Sequence, residues 1–579
     1  MPRTVIKVCG ESGMGLRSVG FILTKSLKKL GFYLHANREF PSLIKGGHSS
    51  VQVEFGTQPI RSITSETDIL LALDWPTLLH FFDTVKKGGV LIHSFERHDR
   101  IKDLEKRAKK RGIRLIYIPA HQMLREIGGA DFMVNMVLLG FLWGVLGLEF
   151  KVLKGAVSKQ FASKPKILKL DLKAIKMGYD LDIKENLVED FQFDMPKKVP
   201  NTILLDGNAG VALGAIQCGT RAYYAYPMSP ASSILGDLAK WAKQSGMVIK
   251  QAEDEITAAQ MTLGSMFMGT RALVATSGGG YDLMTETVSL SAITETPLVI
   301  VIVQRPGPAT GLPTWTGQAD LNLAIHGAHG EFATLVVAGS DPSSCYELIQ
   351  HAMNYAEEFQ MPVTFLSEQV VGEALYMVPP LEHKKIPIKR GLVTNKKELS
   401  KLIDADRYRL SKNGISKRWI PGSAKAIYDA NGDEHWENGD VTEDATKATM
   451  MIAKRMKKLE TLTKALPEPK VYGSPKNADV SFVGWGSSKN VMLDAIAEAK
   501  AQGLSVNYLH FDYLHPLKTK RLIQFFEENN NVCLIEGNFA GQLGEIIEGK
   551  TGKQFSKKFL KWNGRAFFID EVMSFITTT

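Results

Sequence analysis

Ala272-Leu273-Val274-Ala275-Thr276-Ser277-Gly278-Gly279-Gly280 and, further on, Leu298-Val299-Ile300-Val301-Ile302-Val303-Gln304-Arg305-Pro306-Gly307-Pro308-Ala309-Thr310-Gly311-Leu312-Pro313-Thr314 set the fold. Each is a short apolar run that breaks into a Gly-rich polar loop. Such runs, bounded by Gly and Pro and rich in β-branched residues, read as buried strands. Leu283 to Thr294, between them, reads as a helix. Strand, helix, strand in this order predicts a βαβ unit with parallel strands. Ligands of open α/β sheets bind outside the carboxyl ends of the strands, so the two loops mark a candidate site.

Outward from this unit the alternation continues. A helix from Ala209 to Cys218, an extended Ala222–Tyr226, a helix after Pro230 and a helix from Glu253 to Met268 define a region of about 200 to 385. Ahead of it, residues 1 to about 195 open as strand Thr4–Cys9, a loop from Gly10 to Gly15 and a helix from Leu16 to Leu30. Strand-like runs follow at Ser50–Phe55, Ile69–Leu73, Val90–His93 and Arg114–Ile118, which predicts a mostly parallel sheet. The Lys-rich stretch from Lys164 to Lys198 reads as a tail into a linker. Residues 384–418 then hold twelve Lys or Arg against three Asp or Glu, and residues 429–444 hold seven acidic residues and no Lys or Arg. The segment 386–475 is expected to be a solvated, charged connection, with a docking surface for a partner protein as the alternative. The last region, 476–579, begins with strand Val480–Val483 and a turn at Gly484–Ser488. A helix from Val491 to Gln502 and strands Val506–His510 and Asn531–Glu536 follow. The fold class expected is α/β and multidomain.

The chain has 579 residues, 44% hydrophobic and 23% charged, an ordinary globular balance. Its 70 Lys and Arg exceed its 61 Asp and Glu by nine, an excess that permits acidic ligands without requiring nucleic acid. There is no zinc-finger or RNP-like motif and no aromatic–basic stripe, so a nucleic-acid-binding role is not expected. The four cysteines, Cys9, Cys218, Cys345 and Cys533, form no CxxC pair, so this chain cannot by itself ligate a zinc ion or an iron–sulfur cluster. Sparse cysteines fit a reducing compartment. The longest uncharged apolar stretch, Met136 to Leu148, has 13 residues, short of the roughly 18 a membrane span needs, and reads as a buried helix. A cytoplasmic protein without membrane contact is expected.

Several residues could carry chemistry. Gly10-x-x-Gly13-x-Gly15 follows a strand and opens a helix, where backbone amides can hold an anion. Its spacing is not GxGxxG, so a tight turn is the simpler reading. Lys45-Gly46-Gly47-His48-Ser49 lets backbone approach a ligand closely, or is a surface turn with a solvated Lys. Ser229 precedes Pro230 as a candidate helix N-cap. Glu253-Asp254-Glu255 heads a helix, where acidic residues are favoured electrostatically. The small apolar residues after it also allow a buried carboxylate with a raised pKa. Arg305, an always-charged fork, would face the cleft.

With Asp206-Gly207-Asn208-Ala209-Gly210-Val211-Ala212-Leu213-Gly214, YPMSPASS at 226–233, EDEITAAQM at 253–261, TSGGG at 276–280 and QRPGPATGLPT at 304–314, the chain resembles the α subunit of 2-oxoacid:ferredoxin oxidoreductases. The 2-oxoglutarate type is the nearest in pattern. Residues 1–195 resemble the family's γ domain, fused ahead of α. Val483-Gly484-Trp485-Gly486-Ser487 and Glu536-Gly537-Asn538-Phe539-Ala540-Gly541-Gln542-Leu543 resemble its transketolase-C-like domain. The resemblance implies a γ-type domain at 1–195, a pyrimidine-side thiamine diphosphate-binding domain at 200–385 and a transketolase-C-like domain at 476–579. The implied reaction converts a 2-oxoacid, coenzyme A and oxidised ferredoxin into acyl-CoA, carbon dioxide and reduced ferredoxin, or fixes carbon dioxide in reverse. Glu255 matches the glutamate that hydrogen-bonds the thiamine pyrimidine. Ser277 and Gly278 match its cofactor loop. Arg305, Ser229 and Thr310 match substrate-facing positions, with Arg305 on the 2-oxoacid's C1 carboxylate and Lys45 the choice for a second carboxylate. No metal ligand is expected on this chain. Mg2+ with its GDG…N motif and a 4Fe–4S cluster with its CxxC motifs are expected on a partner β subunit, in an (αβ)2 assembly served by ferredoxin. Two alternatives remain open: a pyruvate-type oxidoreductase, and a non-redox transketolase-like thiamine enzyme.

Overall fold

The computed structural model describes residues 3–43, 46–95, 99–182, 193–402, 404–423 and 426–579. It forms two compact units. The first comprises residues 1–204 with 374–379 and 568–574. Its sheet has eight strands, in the order Arg114–Tyr117, Val85–His93, Thr67–Ala72, Thr4–Ser12, Gly46–Gly56, Tyr33–Glu39, Leu375–Val378 and Ile203–Leu205. The first four run parallel, and every residue of Thr67–Ala72 is buried, as befits a central parallel strand. Gly46–Gly56 runs antiparallel to both its neighbours, and Leu375–Val378 is antiparallel to Tyr33–Glu39. The expectation of a mostly parallel sheet therefore holds for only half of it. Six residues join Tyr33–Glu39 to Gly46–Gly56, too few for a crossover helix, so the pair must be antiparallel.

The loop from Gly10 to Gly15 is a tight strand-to-helix turn. Gly15 has φ 77°, and a Cβ there would lie 2.5 Å from Asn135 Nδ2. That amide donates to Met14 O at 2.8 Å. The apolar stretch around Met136 forms helix Val134–Val145, buried at every residue. The Lys-rich tail is not a linker but begins as helix Pro165–Tyr179. Its Lys166, Lys169, Lys173 and Lys176 share one exposed face, while Ala174, Ile175 and Gly178 are buried. The two helices touch backbone to backbone: a Cβ on Gly140 would meet Ile175 O at 2.1 Å, and one on Gly178 would meet Val137 O at 2.0 Å.

The second unit comprises residues 205–373, 380–567 and 575–579. Its larger sheet has seven strands, in the order Tyr513–His515, Leu335–Ala338, Pro362–Glu368, Leu298–Gln304, Ala272–Thr276, Ala222–Ala225, Val248–Gln251. All are parallel except Tyr513–His515. The smaller sheet has five strands, Lys470–Gly473, Val506–Phe511, Val480–Trp485, Val532–Glu536 and Lys557–Leu560, with only Lys470–Gly473 antiparallel. Ala272–Thr276 and Leu298–Gln304 are adjacent, with Thr276 opposite Ile302, so their loops open on one edge.

The segment 386–475 departs from a solvated connection. Tyr408, Trp419, Arg407, Arg418 and His435 are all buried. Helix Ala445–Ala465 buries Met451, Lys454, Arg455, Lys458 and Leu462 along one face. Two buried carboxylates receive these cations. Glu357 meets Arg271 at 2.6 Å, Arg418 at 2.8 Å and Arg390 at 2.9 Å. Glu295 meets Lys454 at 2.5 Å and Lys458 at 2.7 Å, and its carbonyl accepts from Arg407 at 3.1 Å. A buried charge is tolerated only when paired in this way. Among the described residues, no helix is long and apolar enough to cross a membrane.

Candidate active site

The loops after Ala222–Ala225, Ala272–Thr276 and Leu298–Gln304, and the head of the helix after Val248–Gln251, lie at the carboxyl ends of parallel neighbours. The three acidic residues at 253–255 divide their work. Asp254 is the N-cap of helix Glu255–Phe267, its Oδ1 accepting from Thr257 N at 2.7 Å. Glu255 therefore does not cap the helix. It is 4% exposed, and its Oε1 is shut off from solvent without a hydrogen-bond partner.

Gly280 lies directly against this carboxylate. A Cβ on Gly280 would come 2.8 Å from Glu255 Oε1 and 2.0 Å from Thr276 Oγ1. The hydroxyls of Thr276 and Ser277 are buried and equally unpartnered. Gly278, the first residue of the short helix Gly278–Asp282, has Asp320 in the place of a side chain: a Cβ there would lie 2.7 Å from Asp320 Oδ2. A buried carboxylate and two hydroxyls, all without partners, lie around one glycine turn. Buried polar atoms are normally satisfied, so this cluster has the chemistry of a ligand cradle.

Arg305 and Ser229 come together, the contact running from the Arg305 side chain to the Ser229 backbone. Arg305 is 9% exposed, and its Nη1 donates to the Ser229 backbone carbonyl at 2.7 Å. Burial lowers the Arg305 guanidinium, and Asp320 opposes that shift. Ser229 is exposed and caps nothing: the next helix is Ser232–Ser245, whose N-cap is Ala231 without a side-chain bond. The chain here is held instead by Asn208, fully buried, whose Nδ2 donates to Pro230 O at 2.9 Å and Ser233 Oγ at 2.7 Å. Thr310 is exposed on the loop after Arg305. Lys45 lies outside the described residues. Among the described residues, no group of three or more His, Cys, Asp or Glu is placed to hold a metal ion.

Sequence reasoning passed over Asp320. Burial pushes its carboxyl up to about 7, with the like charge of Asp282 adding and Arg305 opposing. A signal was present: between Arg305 and Glu331, Asp320 is the only Asp, Glu, Lys or Arg. A lone charge in a Gly- and apolar-rich run is a candidate for burial with a purpose.

Comparison with known proteins bears on this geometry. The family model for pyruvate flavodoxin/ferredoxin oxidoreductase, thiamine diphosphate-binding, matches residues 213–454, and the pyruvate ferredoxin/flavodoxin oxidoreductase model matches residues 5–181. The 2-oxoacid:ferredoxin oxidoreductase subunit alpha of a Sulfolobus species is 31% identical over 97% of this chain and 95% of its own length. A 2-oxoglutarate oxidoreductase subunit of Mycobacterium tuberculosis is 27% identical over 100% of this chain and 91% of its own. Among solved structures, 2-oxoglutarate:ferredoxin oxidoreductase from Magnetococcus marinus, with 2-oxoglutarate, coenzyme A and succinyl-CoA bound, superposes with a TM-score of 0.90 at 27% identity, covering 100% of this chain and 99% of that one.

Proposed function

The chain belongs to the alpha subunits of the 2-oxoacid:ferredoxin oxidoreductases, thiamine diphosphate-binding enzymes, and from that premise we propose that its 2-oxoacid is 2-oxoglutarate. The reaction is 2-oxoglutarate, coenzyme A and oxidised ferredoxin to succinyl-CoA, carbon dioxide and reduced ferredoxin. The observation that carries the site assignment is the buried, unpartnered Oε1 of Glu255 against Gly280. A carboxylate held dry beside a glycine, and relieved of capping by Asp254, fits a ring nitrogen of the thiamine pyrimidine as its missing partner. The likeness to the Magnetococcus marinus enzyme supports the choice of substrate.

Glu255, Ser277 and Gly278 would hold the pyrimidine of thiamine diphosphate, which when bound would supply the nucleophilic carbon that the 2-oxoacid chemistry needs. Glu255 holds and returns a proton at the pyrimidine nitrogen. Ser277 and Gly278 form the wall of the pyrimidine pocket, where glycine lets backbone approach the ring. Arg305 takes the C1 carboxylate as a fixed cation. Its bond to the Ser229 carbonyl limits where the guanidinium can go. The Ser229 hydroxyl and Thr310 bound the substrate side. Lys45 is assigned the distal carboxylate, which distinguishes 2-oxoglutarate from pyruvate. The diphosphate-side Mg2+ and the 4Fe–4S cluster are assigned to a partner β subunit in an (αβ)2 complex that reduces ferredoxin in the cytoplasm.

The test is co-expression with the partner subunit. The complex should reduce viologen with 2-oxoglutarate and coenzyme A, and much more slowly with pyruvate. The chain purified alone should not turn over, since half of the cofactor site and all cluster ligands are assigned elsewhere. Equal rates on the two substrates would remove the 2-oxoglutarate assignment, and turnover by the isolated chain would remove the division of labour.

A further inference from the structure

The Arg305 guanidinium is tethered where its Nη1 donates to the Ser229 carbonyl at 2.7 Å. That bond takes one of five N–H donors and leaves a fork for a carboxylate. The direction of the fork therefore depends on where the Ser229 carbonyl sits. Ser229 itself is exposed, and its side chain caps nothing. The next carbonyl along, that of Pro230, is held by Asn208, whose Nδ2 donates to it at 2.9 Å and to Ser233 Oγ at 2.7 Å. A carbonyl oxygen only accepts, so the Asn208 atom facing Pro230 must be the NH2. The proline ring fixes φ between the two carbonyls, so a hold on one limits the other. Asn208 is closely held in turn. It is the second residue of helix Gly207–Gln217, whose N-cap Asp206 accepts from Ala209 N at 2.8 Å. It is fully buried, and its amide lies against Gly372, where a Cβ would come 2.8 Å from Oδ1 and 3.1 Å from Nδ2. Yet Oδ1 is buried without a hydrogen-bond partner. Buried polar atoms are normally satisfied, so an amide that leaves one atom unpaired is kept for what the other one holds.

We propose that Asn208 is the positioning residue for Arg305: by fixing the Pro230 carbonyl, and through it the Ser229 carbonyl, it sets the guanidinium where it can take the C1 carboxylate of the 2-oxoacid. This rests on the assignment of Arg305 to that carboxylate. Three links carry it: Asn208 Nδ2 to Pro230 O, the peptide bond from Pro230 back to Ser229, and Ser229 O to Arg305 Nη1. Asn208, buried behind the turn, acts only on the direction of the fork. A bidentate carboxylate pair is demanding in angle as well as distance. A carbonyl displaced by about 1 Å turns the fork away from the geometry that presents the reacting carbon. The chain of contacts ends at the carboxylate of the 2-oxoacid, so its loss is selective for that substrate.

The experiment uses the assembled complex and three readouts: KM for 2-oxoglutarate, KM for coenzyme A, and competitive inhibition by glutarate, which has both carboxylates and no 2-oxo group to react. Asn208→Asp keeps the shape of the side chain, but an ionised carboxylate donates nothing, and a protonated one has a single O–H for two acceptors. KM for 2-oxoglutarate and the glutarate inhibition constant should each rise at least about tenfold, with KM for coenzyme A within about twofold of wild type. Gly372→Ala presses on the same amide without removing it and should give the same split in smaller measure. A merely structural role would lower the melting temperature or weaken both substrates alike, and either result without the split overturns the proposal. In an Arg305→Ala background, Asn208→Asp should weaken glutarate no further, and a further loss as large as in wild type overturns the action through Arg305. If Arg305→Ala alone leaves glutarate inhibition at the wild-type level, the substrate assignment of Arg305 has failed, and this inference falls with it. If Arg305→Ala weakens glutarate while Asn208→Asp and Gly372→Ala keep wild-type KM values, only the Asn208 proposal has failed. Should Asn208→Asp not assemble, Gly372→Ala decides by the same split: its presence supports the proposal and its absence overturns it.

Discussion

Substituting Ala for Gly280 should disable the site while leaving the fold standing. The added Cβ would sit 2.0 Å from Thr276 Oγ1, 2.8 Å from Glu255 Oε1 and 2.9 Å from Glu255 Cγ. The first separation is about 1.5 Å short of the ~3.5 Å at which carbon contacts become favourable. Thr276 is fully buried in a strand, and its branched Cβ leaves it few rotamers. Both neighbours must yield. Overpacking of this kind typically costs about 1–3 kcal/mol. For the chemistry the displacement matters more, because moving a reacting group by about 1 Å can cost on the order of 10²-fold in rate. Gly279→Ala is the matched control, since the nearest atom to its added Cβ is Ala309 O at 3.9 Å. The assay is 2-oxoacid-dependent viologen reduction by the purified complex, with thermal unfolding measured alongside. Gly280→Ala should lose about two orders of magnitude in turnover and only a few degrees in melting temperature, and Gly279→Ala little of either. Gly280→Ala with turnover within about threefold of wild type would refute the placement of Glu255 at the reaction centre.

Glu255→Gln keeps size and burial but removes the ionisable group. Turnover should fall by on the order of 10² to 10⁴, and near-normal activity would leave Glu255 with only a packing role. Glu295→Gln leaves Lys454 and Lys458 without their anion, a loss of about 3–5 kcal/mol when one partner of a buried pair is removed, and limited proteolysis should then cut within 386–475. Burial pushes Glu295 up, but Lys454, Lys458 and Arg407 outweigh it and hold the carboxyl below its usual range. Its contribution is thus present above the ordinary carboxylate pKa of about 4.3 and lost only as pH falls through the lower folded value. Wild-type protection should accordingly persist at pH 5, and protection lost at pH 5 would contradict the ion pairing. Lys45→Ala should raise KM for 2-oxoglutarate at least about tenfold, or ~1.4 kcal/mol, with slow pyruvate turnover little changed. Equal losses on both substrates would assign Lys45 to another task.

Much of this fold is local and was therefore legible. The strand Ala272–Thr276, its glycine loop and the strand Leu298–Gln304 follow from short-range patterning, and so does the buried helix around Met136. The Lys-rich helix Pro165–Tyr179 also had a pattern, lysines at 166, 169, 173 and 176, but net charge masked it as a linker. Segment 386–475 was misjudged for a deeper reason. Its buried face carries Lys454, Arg455 and Lys458, and a hydropathy reading sends such residues to solvent. They are buried only because Glu295 and Glu434 wait for them, 159 and 21 residues away.

The site divides along the same line. Residue types and spacing alone determined the α/β alternation, the loops that carry ligand chemistry and a short set of candidates that includes Glu255 and Arg305. Hydrogen bonds between residues three apart are written in the chain, and that is why a helix start was foreseen at 253–255. Which of those acids caps and which is buried was decided only when Gly280 and Thr276 packed against Glu255. Tertiary packing likewise placed Asp320 against Gly278, made Arg305 a partner of the Ser229 carbonyl and left Ser229 without a capping role. Burial and charge pairing are properties of neighbours in space. Parallel strands set side by side bring together groups that the sequence keeps tens of residues apart, and no local pattern encodes that meeting.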